Sequence, residues 1–282
     1  MDFARTLWLR IETLHAVTYF GEETQAAAAD AGMTGFWMGY FGLRAAPMGP
    51  VAPGVVDATF SNFAPSFVAR WVPDVWERST PDALLAARSA AAAATLRRVA
   101  PTVDGVARAV APWLQIAVDQ GIESGRPLFA ANRHLTLPGD PVEALWQLCT
   151  TLREHRGDGH VAALTAAGVD GLEAHVLIAA EQGTDPIDLQ RTRGWTEADW
   201  SLAVERLRHR GLLDLTGQLT PAGQELRRSV EDATDRLAAA PWHHLTEVDR
   251  TRLVDLLTPS AAAVSASGTL RYPNPIGLPP LA

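Results

Sequence analysis

The eight residues from Arg153 to His160 limit most strongly what this chain can fold into. They include six ionisable side chains and two glycines, and apolar, helix-like segments flank them at 141–152 and 161–167. Charge packed this densely between apolar segments indicates either a solvated corner or the floor of a polar site. Because glycine adopts backbone angles that other residues resist, Gly157 and Gly159 predict a turn at this point.

The composition excludes several classes of protein. The chain has 282 residues, a net charge of −8, and no lysine, so all 24 basic residues are arginine. This acidic balance disfavours non-specific nucleic-acid binding, which needs a basic surface. A single cysteine, Cys149, rules out a disulfide framework and favours a reducing, intracellular setting. With no signal peptide and no apolar run of the ~18–20 residues that a membrane span needs, we expect a cytoplasmic protein without a membrane partner.

The first half of the chain has the patterns of helices. Thr80 followed by Pro81 is typical of a helix start, and so is Asp140 followed by Pro141. Near the N-terminus, Glu12, His15 and Tyr19 have the spacing of one helix face. They are candidates for a ligand site, although a surface acid beside a hydrogen-bonded core His and Tyr would give the same pattern.

A segment rich in aromatic residues and glycine, 35–42, follows. Trp37 and Tyr40 lie in it, and Arg44 and Asn62 come soon after. Most aromatic clusters are plain core. Polar groups among aromatic side chains need partners, however, so these four residues are predicted to line a ligand pocket.

The second half of the chain has the order of a winged helix-turn-helix: three helices, a short hairpin at 211–223 and a final helix. Residues 207–223 in particular resemble the MarR-type winged helix, and the likeness covers about 170–240. In such a domain the leading end of the third helix reads DNA. Here that end contains Glu197 and Asp199, so DNA binding is disfavoured and the domain is expected to serve for packing or dimerisation.

Over about residues 5–260 the chain resembles the SalK-like family, whose members are described only as helix-turn-helix domain proteins. The resemblance rests on Glu12, His15, Tyr19–Phe20, Trp37–Phe41, Arg44–Gly49, Asn62–Pro65 and Leu152–His160. It implies a helical N-terminal region joined to a MarR-like C-terminal domain, and it implies no reaction. We therefore expect a mainly α fold, with an N-terminal multi-helix ligand-pocket domain (1–168), a winged helix-turn-helix with a small β-hairpin (169–258) and a flexible tail (259–282).

Three kinds of chemistry are open to the charged stretch. His155, Asp158 and His160 could bind a metal together with His15 and Glu12. Alternatively, paired donors from Arg156 and Arg44 could hold a carboxylate or phosphate, with His155 or His160 as acid or base. The third alternative is that ion pairs only close a helix junction.

The function that this sequence predicts best is the binding of a small organic ligand between the N-terminal helices and the charged stretch. Its ligand-binding residues would be Glu12, His15, Tyr19, Trp37, Tyr40, Arg44, Asn62 and Arg156. One alternative is an enzyme of small-molecule metabolism that uses His155, His160 and Asp158 in the same pocket, by acid–base chemistry or with a mononuclear metal. Another is a ligand-responsive MarR-like transcriptional regulator. A homodimer is also predicted, and the identity of any metal or cofactor stays open.

Overall fold

The computed structural model describes residues 3–274 and 276–281. Met1, Asp2, Pro275 and Ala282, which fall within the predicted domain ranges, lie outside the described residues.

Within the described residues, the N-terminal half consists of ten helices, of which the last is the longest. These are α1 (Phe3–His15), α2 (Val17–Phe20), α3 (Glu22–Asp30), α4 (Gly35–Ala45), α5 (Pro53–Phe60), α6 (Pro65–Arg78), α7 (Pro81–Val99), α8 (Val103–Gln120), α9 (Pro127–Arg133) and α10 (Pro141–Ala166). The caps expected at Thr80 and Asp140 are confirmed, since each side chain accepts a hydrogen bond from the first turn of its helix.

The C-terminal half is also helical. It comprises α11 (Gly171–Gln182), α12 (Pro186–Arg193), α13 (Glu197–His209), α14 (Pro221–Ala239) and α15 (Glu247–Ala266). Two short 3₁₀ turns, Ala46–Met48 and Ala240–Trp242, complete the described elements.

The central helix α10 corrects the prediction of a turn at Arg153–His160. It continues without a break through Gly157 and Gly159 and packs against α1, α7, α8, α9 and α14. Gly159 serves close packing rather than a change of direction, because a Cβ atom there would come within 3.3 Å of the Leu237 Cβ on α14. A Cβ atom on Gly157 would meet the Arg153 and Glu154 side chains at 3.4 Å, an ordinary contact distance.

The predicted β-hairpin is wrong. Within the described residues the only strand-like pairing in this region is an isolated antiparallel bridge between Leu213 and Leu219. The Asp214 carboxylate accepts hydrogen bonds from the main-chain N–H groups of Thr216 and Gln218. Because α14 begins at Pro221, no length remains for a second strand. The expectation of a mainly α fold is confirmed.

The largest apolar core unites both ends of the chain. It contains residues of α1, α2, α7, α8, α10 and α15, and Leu270 and Leu278 are buried in it. Segment 259–282, expected to be a flexible tail, therefore includes the last turns of α15 and two core residues. A second core lies among the end of α10 and α11–α14. The division into domains stays a prediction.

An aromatic core formed by α4, α5 and α6 connects these two regions. The loop after α5 contacts the helices that follow α10: the main-chain oxygen of Asn62 accepts hydrogen bonds from His175 Nε2 at 3.1 Å and from Trp195 Nε1 at 3.4 Å. The main-chain N–H of Ala64 donates to the oxygen of Arg193 at 2.9 Å. Among the described residues, no single helix has the length and apolar composition to cross a membrane, although α10 and α11 together, bent by 96°, meet both criteria.

The contact between α11 and the loop after α5 predicts the effect of one substitution. A Cβ atom on Gly171 would overlap the carbonyl oxygen of Ser61. We expect Gly171→Ala to lower the free energy of unfolding by about 3 kcal/mol, because backbone must move to make room. Gly54→Ala is the matched control, since its Cβ would meet no atom within 4 Å. Urea denaturation measures both, and equal stabilities would contradict this prediction.

Candidate functional site

A cavity of about 220 Å³ lies among α1–α4, α7 and α10. We call it the His15 cavity. Its wall combines apolar and aromatic surface with hydrogen-bonding groups, among which are His15, Tyr19, Tyr40, Arg44, Arg88 and Glu154. Four of the predicted ligand-binding residues therefore share one cavity, and Glu154 is the member of the charged stretch that reaches it.

His15 is held by two hydroxyl groups. Its Nδ1 lies 2.9 Å from Thr150 Oγ1 and its Nε2 lies 2.9 Å from the Tyr19 hydroxyl. The Tyr19 contact follows from the spacing of four residues between the two positions. Burial, together with the nearby Arg153 cation, lowers the pKa of His15 well below its usual value. The imidazole is therefore neutral at pH 7, with one nitrogen donating and the other accepting.

A chain of buried ion pairs lies beside His15. Glu154 on α10 accepts two hydrogen bonds from Arg44 on α4, at 3.1 Å each, and one from Arg153 Nη1 at 2.8 Å. Arg153 Nε donates in turn to Glu12 on α1 at 3.2 Å. Burial acts to raise the pKa of Glu154, but the two guanidinium groups outweigh it and hold that pKa well below its usual range. Two carboxylates and two guanidinium groups thus neutralise one another.

The aromatic wall is formed by one face of α4. Tyr40 lies 5.2 Å from Tyr19 between ring centroids, and its hydroxyl accepts a hydrogen bond from Arg44 at 3.0 Å. Trp37 does not line the cavity. It packs instead in the aromatic core, 5.6 Å from Phe63 and 5.4 Å from Phe67.

Other predicted site residues lie around a second cavity of about 380 Å³, between α1, α10, α11 and α14. Glu12, Arg156 and His160 line it. Arg156 forms an ion pair with Asp235 at 2.6 Å, and His160 Nδ1 lies 2.9 Å from Thr234 Oγ1. The Arg153 side chain lines this cavity too, so the ion-pair chain separates it from the His15 cavity.

The remaining predicted residues have structural contacts. Asp158 accepts a hydrogen bond from the main-chain N–H of Phe129 at 2.9 Å, in the first turn of α9. His155 lies edge-on to the Phe129 ring, with the ring centroids 4.7 Å apart. Asn62 contributes its main-chain oxygen to the contact with α11 described above. None of the residues predicted to be catalytic, His155, Asp158 and His160, lines the His15 cavity, and their roles stay predictions.

The metal hypothesis finds no support in the geometry. Within residues 3–274 and 276–281, no group of three or more His, Cys, Asp or Glu side chains is placed to hold a metal ion. His15 lies at one cavity, whereas Glu12 and His160 lie at the other and Asp158 contacts α9.

Sequence reasoning missed several residues of the His15 cavity. Arg88, Trp146 and Thr150 line it, and Asn132 and Gln147 support Arg88. One signal for Arg88 was present in the sequence: it is the only charged residue in the alanine-rich stretch 83–94. A lone charge in a helix made for close packing requires a buried partner.

Comparison with known proteins identifies the family. A model described as a helix-turn-helix family matches residues 4–271. The chain belongs to this helix-turn-helix family. No curated protein and no solved structure matches the chain.

A short turn joins α12 to α13, as in a helix-turn-helix motif. Only Gly194, Trp195 and Thr196 separate α12 from α13, and Gly194 has a φ of 77°, which glycine adopts without strain. Acidic residues Glu197 and Asp199 occupy the first turn of α13. Two arginines of α13 are already engaged: Arg206 pairs with Asp170 and Glu173, and Arg208 donates to the main-chain oxygens of Asp214 and Leu215.

The ion-pair chain predicts a large difference between two Glu→Gln variants. Glu154→Gln removes the carboxylate that both Arg44 and Arg153 contact, and leaves buried positive charge uncompensated. We expect it to lower the free energy of unfolding by about 3–5 kcal/mol. Glu23→Gln removes a carboxylate whose partner Arg98 is half exposed, and should lower it by less than about 1 kcal/mol. Similar losses in guanidinium denaturation would show that the buried pairs contribute no more than surface pairs.

Buried histidines predict acid sensitivity. Burial lowers the pKa of His15, His155 and His160, and burial with the Arg193 cation lowers that of His175 to about 4. Between that value and the unfolded value of about 6.5, the unfolded chain binds more protons, so stability falls as the pH falls. Burial raises the pKa of Asp158 to about 7, which opposes the effect of one histidine.

We therefore expect a net loss of stability between pH 6.5 and pH 4.5, to which His175 contributes of the order of 2 kcal/mol. Urea denaturation at pH 7.5 and pH 4.5 measures it. His175→Gln should lose less free energy of unfolding between pH 7.5 and pH 4.5 than the wild type does. The difference should be about the contribution expected of His175. A pH dependence that His175→Gln leaves unchanged would count against this assignment.

Proposed function

We propose that the protein binds a small organic ligand in the His15 cavity. The observation that carries this proposal is the cavity itself: about 220 Å³ of space with aromatic walls and polar groups held in place by their own hydrogen bonds. Ligand pockets in proteins combine largely apolar walls with a few positioned polar groups in this way.

The polar groups support specific recognition. Arg44 donates to the Tyr40 oxygen, so the Tyr40 hydroxyl proton is available to an acceptor in the ligand. No second acceptor for that proton is bonded to Tyr40 within the described part of the chain. Since Arg44 is fixed by Glu154 and His15 by two hydroxyls, the site needs little rearrangement to bind.

Membership in the helix-turn-helix family favours a second candidate, a ligand-responsive MarR-like transcriptional regulator that acts as a homodimer. The short connection between α12 and α13 supports it. The acidic first turn of α13 works against direct contact with phosphates. Salt-dependent retention on DNA and sedimentation of the purified protein separate this candidate from a ligand-binding protein that contacts no DNA.

One pair of variants tests the ligand proposal at the mouth of the cavity. Ala29 and Ala26 both lie exposed on α3, but only Ala29 lines the His15 cavity. Ala29→Trp should block entry, whereas Ala26→Trp should leave it open. The probes are a panel of one- and two-ring aromatic compounds. A compound that binds the wild type should stabilise it by about 2.7 kcal/mol when present at 100 times its Kd.

We expect the increase in melting temperature to be lost in Ala29→Trp and kept in Ala26→Trp. Native mass spectrometry of the purified wild type should also detect a bound small molecule. The proposal is contradicted if no compound in the panel raises the melting temperature of the wild type. It is also contradicted if the compounds raise the melting temperature equally in Ala29→Trp and Ala26→Trp.

A further inference from the structure

Arg88 is a buried cation without a carboxylate partner. Its side chain is almost fully buried on α7, where Nη1 donates to the oxygen of Leu43 at 3.0 Å. Nη2 donates to Asn132 Oδ1 at 2.8 Å and to Gln147 Oε1 at 3.0 Å. All three acceptors are neutral. In the part of the chain that the structure describes, no carboxylate lies within 4.0 Å of this guanidinium, and its Nε–H has no hydrogen-bond partner.

Among the residues that line the His15 cavity, the other charges are balanced. Glu154 is paired with Arg44, and His15 is uncharged. Arg88 therefore leaves the wall of the cavity with one net positive charge. Burial lowers the pKa of Arg88 to about 10, so the guanidinium is still protonated at pH 7.

Such a charge destabilises the empty protein. Removing a guanidinium from water costs several kcal/mol, and hydrogen bonds to neutral acceptors offset only part of this desolvation cost. A negatively charged group in the adjacent cavity would offset the rest of it. Arg44 and Arg156, which the sequence predicts as ligand-binding residues, are each paired with a carboxylate and so leave no uncompensated positive charge.

We propose that the ligand of the His15 cavity is an organic monoanion: a carboxylic acid with a one- or two-ring apolar body, whose charge Arg88 neutralises. This inference rests on the proposed ligand-binding function. The apolar body would lie against the Trp146 and Tyr40 rings, and the Tyr40 hydroxyl could donate a hydrogen bond to the ligand. A single charge suits the site, because a phosphate dianion would exceed the one uncompensated positive charge.

The test compares carboxylic acids with their primary amides, which have nearly the same shape without the charge. The probes are phenylacetate with phenylacetamide and 2-naphthoate with 2-naphthamide, titrated by isothermal calorimetry into the full-length protein. The wild type should bind the better-fitting acid roughly tenfold or more tightly than its amide. Arg88→Met should reduce that ratio to within about twofold, and Arg88→Lys should retain part of it.

The Arg88→Lys variant offers a second measurement. Because the natural chain has no lysine, this variant grown with ¹³C-lysine carries the label in one side chain only. Its Cε resonance should shift when the acid is added and stay in place with the amide. This signal reports on the charge at position 88 even where Arg88→Met fails to fold.

The outcomes separate the two proposals. An amide that binds the wild type as tightly as its acid, or an acid preference that survives in Arg88→Met, overturns the monoanion inference and leaves ligand binding standing. Binding of the acid that is unaffected by Ala29→Trp places it outside the cavity and overturns the inference. If neither acids nor amides bind the wild type, both the monoanion inference and the proposed ligand-binding function fail.

Discussion

The pairing of buried charges across α10 is the constraint on which the rest of the structure depends. Glu154 and Arg153 project from adjacent positions of one helix, and they must meet Arg44 on α4 and Glu12 on α1. A buried charge that loses its partner costs several kcal/mol, so these four side chains fix where the three helices lie. The His15 cavity is the space that remains between helices held apart by this network. Its polar side is therefore rigid before any ligand enters.

Features that depend on local spacing could be predicted from the sequence. The helix starts at Thr80 and Asp140 follow from capping, which involves residues two or three positions apart. The contact of His15 with Tyr19 follows from helix periodicity in the same way. The mainly α fold was predictable for this reason, whereas the small hairpin was not, because the length of a strand pair depends on where the next helix starts.

The errors concern features that depend on distant parts of the chain. Gly157 and Gly159 favour a turn when only their neighbours are considered, but the approach of Leu237 from α14 explains why Gly159 lies inside a helix. The sequence marks Arg88 as a lone charge in an alanine-rich stretch, but it does not show which partners Arg88 and Arg156 meet. Only the fold reveals that one meets Asp235 and the other meets neutral acceptors. The charged stretch was recognised as polar, but which of its members reach which cavity follows from the orientation of α10.

The sharing of the Asn62 oxygen by His175 and Trp195 has a mechanical consequence. It ties the helix-turn-helix segment to the same aromatic layer whose α4 forms a wall of the cavity. A rigid swing of α12 and α13 away from the body would break the hydrogen bond from Trp195, while the one from His175 on α11 would remain, and it would uncover the side of Phe67 against which Gly194 packs. A ligand in the His15 cavity, as proposed, would act on α12 and α13 through this shared packing and not through a free hinge.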